Sequence, residues 1–158
     1  MYQRILVPID GSPTADRGVR EAMRLAADQK AKVILLHVVD DFPMVAEMSS
    51  AMTAQQTDRA RGRLGRLREQ GEELLAKAKN SFSNASLPAD TLLREVTQGR
   101  IADVVVEEAA KAGCDLIVMG THGRRGFNRL VMGSDAELVV RTSPIPVLLV
   151  RQEEPRTA

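Results

Sequence analysis

Short aliphatic runs alternate with longer amphipathic segments along the chain, and this alternation predicts its secondary structure. The run from Val33 to Val39 is apolar except at His37, which is typical of a strand covered on both faces. The longer segments place small and apolar residues every three or four positions, as one face of a helix does. The predicted strands are residues 4–9, 33–39, 91–96, 115–119 and 146–150. The predicted helices are residues 13–30, 57–79, 101–112 and 134–141, and residues 41–55 are predicted to be a mobile connection.

The order of these elements predicts an α/β fold, because strands and helices alternate along the whole chain. We expect an open five-stranded parallel sheet with helices on both faces, which is a Rossmann-like three-layer sandwich. In such sheets ligands bind beyond the carboxyl ends of the strands, where the strand order reverses. We interpret residues 1–151 as one domain and residues 152–158 as a disordered tail.

Composition narrows the possible functions. The chain has 158 residues, of which 44% are hydrophobic and 3% aromatic, and its net charge is +1. A nearly neutral chain with few stacking rings is a poor nucleic-acid binder, and no apolar run approaches the roughly 20 residues of a membrane helix. Asp10 follows the first aliphatic run too early for a signal peptide, and the single cysteine fits a reducing compartment. We therefore expect a cytoplasmic protein that binds neither nucleic acid nor a membrane.

The segment with candidate chemistry follows the fourth predicted strand. It has glycines at positions 120, 123, 126 and 133, and it ends in Gly133-Ser134 at the start of a predicted helix. Glycine allows the backbone to approach a ligand closely, and the unpaired N–H groups of a helix start favour an anion such as phosphate. A second interpretation is a plain loop in which Ser134 and Glu137 form a capping box. The chain has neither the P-loop motif nor the dinucleotide fingerprint after its first strand.

These residues resemble the universal stress protein family, and the resemblance extends over nearly the whole chain. The matching stretches are Arg4 to Ser12 (RILVPIDGS), Leu36 to Asp40 (LHVVD) and Asp115 to Gly120 (DLIVMG). The skeleton that follows, Gly-x-x-Gly, nine residues, Gly-Ser, resembles the pattern of the family's ATP-binding branch. The resemblance implies an adenine nucleotide alpha hydrolase-like fold and a bound ATP, ADP or AMP, with Mg²⁺ shared by the phosphate oxygens.

The resemblance also implies a role for each matched position. Pro8 and Asp10 would line the ribose and base, and Val38 would meet adenine largely through its backbone. Met119 and Gly120 would form the floor of the ribose pocket. The positions implied to hold the phosphates are Gly123, Arg124, Gly133 and Ser134. The remaining predicted nucleotide contacts are Ile9, Ser12, His122 and Asp135.

Two of these positions leave alternatives open. His122 is either a phosphate contact or a solvated loop residue. Asp135 departs from the family pattern, in which an apolar or small residue usually follows Gly-Ser. A carboxylate suits a helix N-terminus but repels a nearby polyphosphate. Asp135 therefore either points to solvent, or weakens triphosphate binding and makes it depend more on a metal.

The expected function is that of an ATP-binding universal stress protein. It would act in stress response or signalling through nucleotide-dependent conformation and the binding of an unidentified protein partner. The alternatives are a slow ATPase and a nucleotide-free interaction module of the same fold, and we predict no catalytic residue. The resemblance implies a homodimer joined through the C-terminal strand at residues 147–150, whose backbone groups invite pairing if it lies at the sheet edge. We interpret His37 as a hydrogen-bonded core histidine.

Overall fold

A computed structural model describes residues 1–40, 53–96, 98–122 and 132–151. Within these ranges strands and helices alternate as the hydrophobic pattern predicts. The strands are β1 (Arg4–Pro8), β2 (Lys32–Asp40), β3 (Ala89–Val96), β4 (Leu116–Gly120) and β5 (Val147–Val150). The helices are α1 (Pro13–Gln29), α2 (Ala54–Asn84), α3 (Ile101–Lys111) and α4 (Ser134–Thr142). The predicted tail at 152–158 and most of the predicted connection, residues 41–52, lie outside the described residues.

The strands form one parallel sheet in the order β3-β2-β1-β4-β5. Successive strands step outward from β1 through β2 to β3, and the chain then returns to the other side of β1 to add β4 and β5. The strand order therefore reverses at β1. The predicted fold class, an open five-stranded parallel sheet with helices on both faces, is confirmed.

Alternate strand residues supply two separate cores, one on each face of the sheet. Ile5 and Val33 belong to the core covered by α1 and α2. Leu6 and Ile117 belong to the core covered by α3 and α4. Cys114 also lies in this second core, where burial raises the pKa of its thiol to about 11. It is therefore a small buried residue, not a reactive thiol.

Helix α2 is longer than the sequence pattern predicts at both ends. It begins at Ala54 because Thr53 and Gln56 form a capping box: the Gln56 N–H donates to Thr53 Oγ1 (3.3 Å) and the Thr53 N–H donates to Gln56 Oε1 (2.8 Å). It extends to Asn84 because Phe82 is fully buried and continues the packed face of the helix. The predicted assignment of residues 54–55 to a connection is therefore wrong. No helix in the described ranges is both long and apolar enough to cross a membrane.

Helix α2 contacts the end of β1 through His37 of β2. The Nδ1 atom of His37 lies 2.8 Å from the Ile9 carbonyl oxygen, which confirms the predicted hydrogen bond, but the residue is half-buried and is not part of the core. Gly71 of α2 packs against the other side of the ring. A Cβ atom at this position would lie 2.5 Å from His37 Cδ2, so glycine permits the close approach of helix and strand.

A buried carboxylate joins α3 to the edge strand β3. Glu108 is buried, and its Oε2 atom lies 2.9 Å from Nη2 of Arg94, while Lys111 Nζ lies 3.4 Å from Oε1. Burial, the largest single influence, opposes ionisation of Glu108, but the hydrogen bonds and positive charges of Arg94 and Lys111 together lower its pKa. Glu108 is therefore ionised in the folded protein at neutral pH.

Replacing Glu108 with glutamine is expected to lower the free energy of unfolding by about 1 kcal/mol at pH 7, because the variant loses charge-assisted hydrogen bonds in a buried position. The folded-state pKa is depressed, so this stabilisation is complete above the ordinary value of 4.5 and is lost as the pH falls through the folded-state pKa. Urea unfolding at pH 7 and at stepwise lower pH measures the difference.

The matched control is Glu107→Gln, which alters an exposed ion pair with Lys111 and should cost less than about 0.5 kcal/mol. A pH-independent difference between wild type and Glu108→Gln would contradict the role of ionised Glu108.

Candidate functional site

The candidate site lies at the carboxyl edge of the sheet, between β1 and β4. β1 pairs with β2 on one side and with β4 on the other, so the strand order reverses here. The chain leaving β1 enters α1 on one face, and the chain leaving β4 leads to α4 on the opposite face. The carboxyl ends of β1 and β4, at Pro8 and Gly120, therefore lie at the position where ligands bind in open parallel sheets.

Predicted contacts from three adjacent strands share the face that α3 and α4 cover. Val38 of β2 and Met119 of β4 both pack against the core on this face. Pro8 follows Leu6 by two residues along β1 and therefore has the same orientation. Ile9 belongs to the core on the opposite face, where it is buried. The structure thus places Pro8, Val38 and Met119 on one face at the carboxyl edge, with Ile9 behind them.

The turn after β1 is built by Asp10 and Ser12. Asp10 Oδ1 accepts a hydrogen bond from the Ser12 N–H (2.9 Å), and Gly11 between them has a left-handed conformation with φ of 78°. Ser12 is the N-cap of α1, as predicted, and its Oγ accepts from the Ala15 N–H (3.2 Å). Ser12 is buried, whereas Asp10 is half-buried. Of these two predicted contacts, Asp10 has the more accessible side chain.

The end of β4 packs directly against the first turn of α1. A Cβ atom on Gly120 would lie 2.8 Å from both Cβ and Oγ1 of Thr14, so a larger residue requires movement. The close approach allows the buried Thr14 hydroxyl to donate a hydrogen bond to the His122 carbonyl. Thr14 is not among the contacts predicted from the sequence. The available signal was a second hydroxyl group in the first turn of α1, two residues after the N-cap Ser12.

His122 is held through its ring as well as its backbone. Thr121 Oγ1 lies 2.8 Å from Nδ1 of His122. The backbone of Thr121 is fixed on both sides, since its N–H donates to the Val150 carbonyl (3.0 Å) and its carbonyl accepts from the Gly133 N–H (2.8 Å). The Nε2 atom of His122 is buried and has no hydrogen-bond partner among the described residues. Buried polar atoms are normally paired, so this nitrogen is a group that a ligand could satisfy.

Helix α4 begins without a side-chain cap in the described part of the chain. Gly133, with φ of −62° and ψ of 146°, is the N-cap, and Ser134 is already in the first helical turn. The capping-box interpretation of Ser134 and Glu137 is therefore wrong. Ser134 and Asp135 are both exposed. A helix start with no side-chain cap is suited to an anionic ligand.

Two predicted phosphate contacts, Gly123 and Arg124, lie outside the described residues and stay predictions. Among the residues that are described, no group of three or more His, Cys, Asp or Glu side chains could hold a metal ion. A shallow groove lies elsewhere, between α2 and β3, and contains none of the predicted contacts.

The chain matches the model of the universal stress protein family over residues 1–151. It is 34% identical over 155 residues to universal stress protein MJ0531 of Methanocaldococcus jannaschii, and the match covers 96% of this chain and 84% of that protein. Its fold is similar to that of hypothetical protein MJ0577 from the same organism, with a TM-score of 0.81, 24% identity and coverage of 98% and 99% of the two chains. A universal stress protein solved in complex with cAMP is 28% identical, with a TM-score of 0.61 and coverage of 96% and 98%.

Proposed function

Because the chain belongs to the universal stress protein family, we propose that it binds an adenine nucleotide at the carboxyl edge of its sheet, between β1 and β4. The observation that carries this proposal is the position of Pro8, Val38 and Met119 on one face, at the ends of three adjacent strands. The start of α4, which follows the β4 loop, supplies an anion-binding end for the phosphates. The relative solved with cAMP supports an adenine nucleotide as the class of ligand.

Each part of the nucleotide has a counterpart in the proposed site. The half-buried side chain of Val38, beside the buried side chain of Met119, offers an aliphatic surface for adenine, so backbone groups supply the selectivity for the base. The half-buried carboxylate of Asp10 accepts hydrogen bonds from the ribose. Gly133 and Ser134 at the start of α4 hold phosphate together with Gly123 and Arg124 of the preceding loop. Mg²⁺, when bound beside Gly133 and Ser134, would neutralise part of the phosphate charge.

The proposed cellular role is nucleotide-dependent signalling or stress adaptation in the cytoplasm, with ATP as the ligand. Binding would bring the β1 turn, the β4 loop and the start of α4 into contact with one molecule. The surface around the proposed site, at the carboxyl ends of β1 and β4, would then differ between the occupied and the empty protein. A protein partner that recognises one of these surfaces would respond to the nucleotide.

The test is isothermal titration calorimetry of the purified chain with AMP, ADP and ATP, each with and without Mg²⁺, and with GTP as the control for the base. Mass spectrometry of the nucleotide released on denaturation identifies any ligand that is retained through purification. We expect saturable heat with the adenine nucleotides and a much weaker response to GTP. No released nucleotide and no heat with any adenine nucleotide would contradict the proposal. If ATP binding requires Mg²⁺ in the wild type and no longer does in an Asp135→Asn variant, Asp135 repels the phosphates.

We also propose that β5 joins two copies of the chain. In the described sheet β5 pairs only with β4, so its other side presents backbone groups that a second strand can pair with. The exposed large apolar side chains among the described residues are Met1, Val140 of α4 and Leu148 of β5, and α4 packs beside β5. The opposite edge strand, β3, is charged, with ion pairs from Asp90 to Lys32 and from Glu95 to Arg68. These differences favour association through β5.

Replacing Leu148 with lysine is expected to weaken this dimer by roughly 100-fold, because two positive charges then meet across the two-fold axis and an apolar contact is lost. Sedimentation equilibrium measures the dissociation constant. Ala76→Lys adds the same charge on the exposed surface of α2, distant from β5, and should leave the dissociation constant unchanged. A wild-type chain that sediments as a monomer, or a Leu148→Lys variant that dimerises normally, would rule out association through β5.

A further inference from the structure

A directional chain of hydrogen bonds links the turn after β1 to the loop after β4. The Thr14 hydroxyl donates its single proton to the His122 carbonyl. In its contact with Ser12 Oγ, at 3.2 Å, Thr14 must therefore be the acceptor and Ser12 the donor. Ser12 Oγ in turn accepts from the Ala15 N–H at 3.2 Å. The chain runs from the Ala15 amide through two hydroxyl groups to the His122 carbonyl.

Both hydroxyl groups in this chain are shielded from water. Ser12 and Thr14 each have an exposed fraction of 4%. Hydrogen bonds in such surroundings polarise one another, and a buried polar group that loses its partner is costly. Removing the Thr14 hydroxyl would leave the Ser12 proton and the His122 carbonyl without this partner. The hydroxyl therefore restricts where the His122 backbone can lie.

Two glycines lie at the contact between the first turns of α1 and the end of β4. Gly120 leaves no room for a Cβ atom beside Thr14, as described above. Gly18, one turn further along α1, lies against the backbone of Met119 and Gly120, with 3.8 Å between its virtual Cβ atom and the Gly120 nitrogen. The first turn of α1 and the end of β4 are thus in direct contact. Thr14 adds the hydrogen bond that extends this contact into the loop.

From this arrangement we propose that Thr14 is a positioning residue of the nucleotide site, whose hydroxyl fixes Thr121 and His122, directly after β4, relative to the turn after β1. The residue next to His122 is Thr121, which contacts the His122 ring and accepts a hydrogen bond from the Gly133 N–H. Thr14 therefore restrains His122 directly and, through Thr121, Gly133, which is a predicted phosphate contact. The role rests on the proposed nucleotide binding but does not require Thr14 to touch the nucleotide.

The test compares three variants with wild type. Thr14→Val keeps the branched shape and removes the hydroxyl, whereas Thr14→Ser keeps the hydroxyl and removes a methyl group. The matched control is Thr142→Val, which removes a threonine hydroxyl bonded to the Leu138 carbonyl on the exposed part of α4. The two measurements are hydrogen exchange of the Thr121 and Gly133 amides without ligand, and the dissociation constant for AMP by calorimetry. Urea unfolding checks that each variant is folded at the temperature used.

We expect Thr14→Val to speed exchange at both amides and to raise the AMP dissociation constant, each by roughly tenfold, the effect of one lost buried hydrogen bond. Thr14→Ser and Thr142→Val should stay within about twofold of wild type. Equal behaviour of the valine and serine variants, or faster exchange without weaker binding, would overturn the proposal. If wild type itself binds no AMP, the proposed nucleotide function fails. Hydrogen exchange of the Thr121 and Gly133 amides then still tests whether Thr14 fixes the backbone directly after β4.

Discussion

Replacing Gly71 with alanine is expected to lower the free energy of unfolding by about 2 kcal/mol, although alanine is the better helix former by up to about 1 kcal/mol. The new Cβ atom would lie 2.5 Å from His37 Cδ2 and 2.9 Å from Leu93 Cδ1. The imidazole ring cannot retreat freely, because its Nδ1 atom is hydrogen-bonded to the Ile9 carbonyl. Either α2 moves away from the sheet or this hydrogen bond breaks. Both outcomes cost more than the gain in helix propensity.

The same helix contains a matched control for Gly71→Ala. Apart from the adjoining residues and backbone of its own helix, Gly65 has no atom within 4 Å of the position that a Cβ would take. Gly65→Ala should therefore stabilise the protein by up to about 1 kcal/mol through helix propensity alone. Urea unfolding of the two variants at pH 7 measures the opposite signs. If Gly71→Ala were as stable as Gly65→Ala, the close packing of α2 on His37 would be refuted.

Replacing Gly120 with alanine is expected to affect both folding and nucleotide binding. The Cβ atom would lie 2.8 Å from Thr14 Cβ and 2.9 Å from its backbone carbonyl carbon, so the first turn of α1 or the end of β4 must shift. We expect a loss of about 2 kcal/mol in the free energy of unfolding. The shift also displaces the Thr14 hydroxyl from the His122 carbonyl, and AMP binding should weaken by more than about tenfold.

The control for Gly120→Ala is Gly18→Ala, on the other side of the same contact. Its Cβ would meet the Gly120 nitrogen and the Met119 carbonyl carbon at 3.8 Å, which is ordinary van der Waals contact. Gly18 lies within α1, so alanine should be neutral or slightly stabilising. Urea unfolding and AMP calorimetry on both variants provide the comparison. Unchanged AMP affinity in a folded Gly120→Ala protein would show that the end of β4 is not part of the binding site.

The parts of the fold that the sequence predicts well are those in which burial is continuous. β2 is covered on both faces, so its apolar run from Val33 to Val39 identifies it without any neighbouring strand. The start of α2 is harder to predict, because residues 53–56 are exposed and only a local cap defines where the helix begins. Phe82 could not be recognised as part of the helix until its burial under the sheet was known.

Within the candidate site, the sequence predicts the strand ends but not the contacts between them. Asp10 and Met119 each follow or end an aliphatic run, so their position at the carboxyl edge can be deduced from the chain order. Thr14 and His122 are 108 positions apart, and only the packing of α1 on β4 brings them together. Ser134 was ambiguous for a different reason. Sequence alone cannot distinguish an N-cap from the first helical residue, and the conformation of Gly133 decides it.

The unequal edges of the sheet have a consequence for the size of the assembly. A pair of chains joined through β5 on a two-fold axis uses the same surface on both copies, so this surface is fully consumed. The outer boundaries of the doubled sheet are then both β3, where the ion pairs of Asp90 and Glu95 disfavour another strand. Growth of this proposed assembly would therefore end at two copies. In the proposed assembly, the charged residues of β3 would prevent further copies from adding to the sheet and forming an open-ended filament.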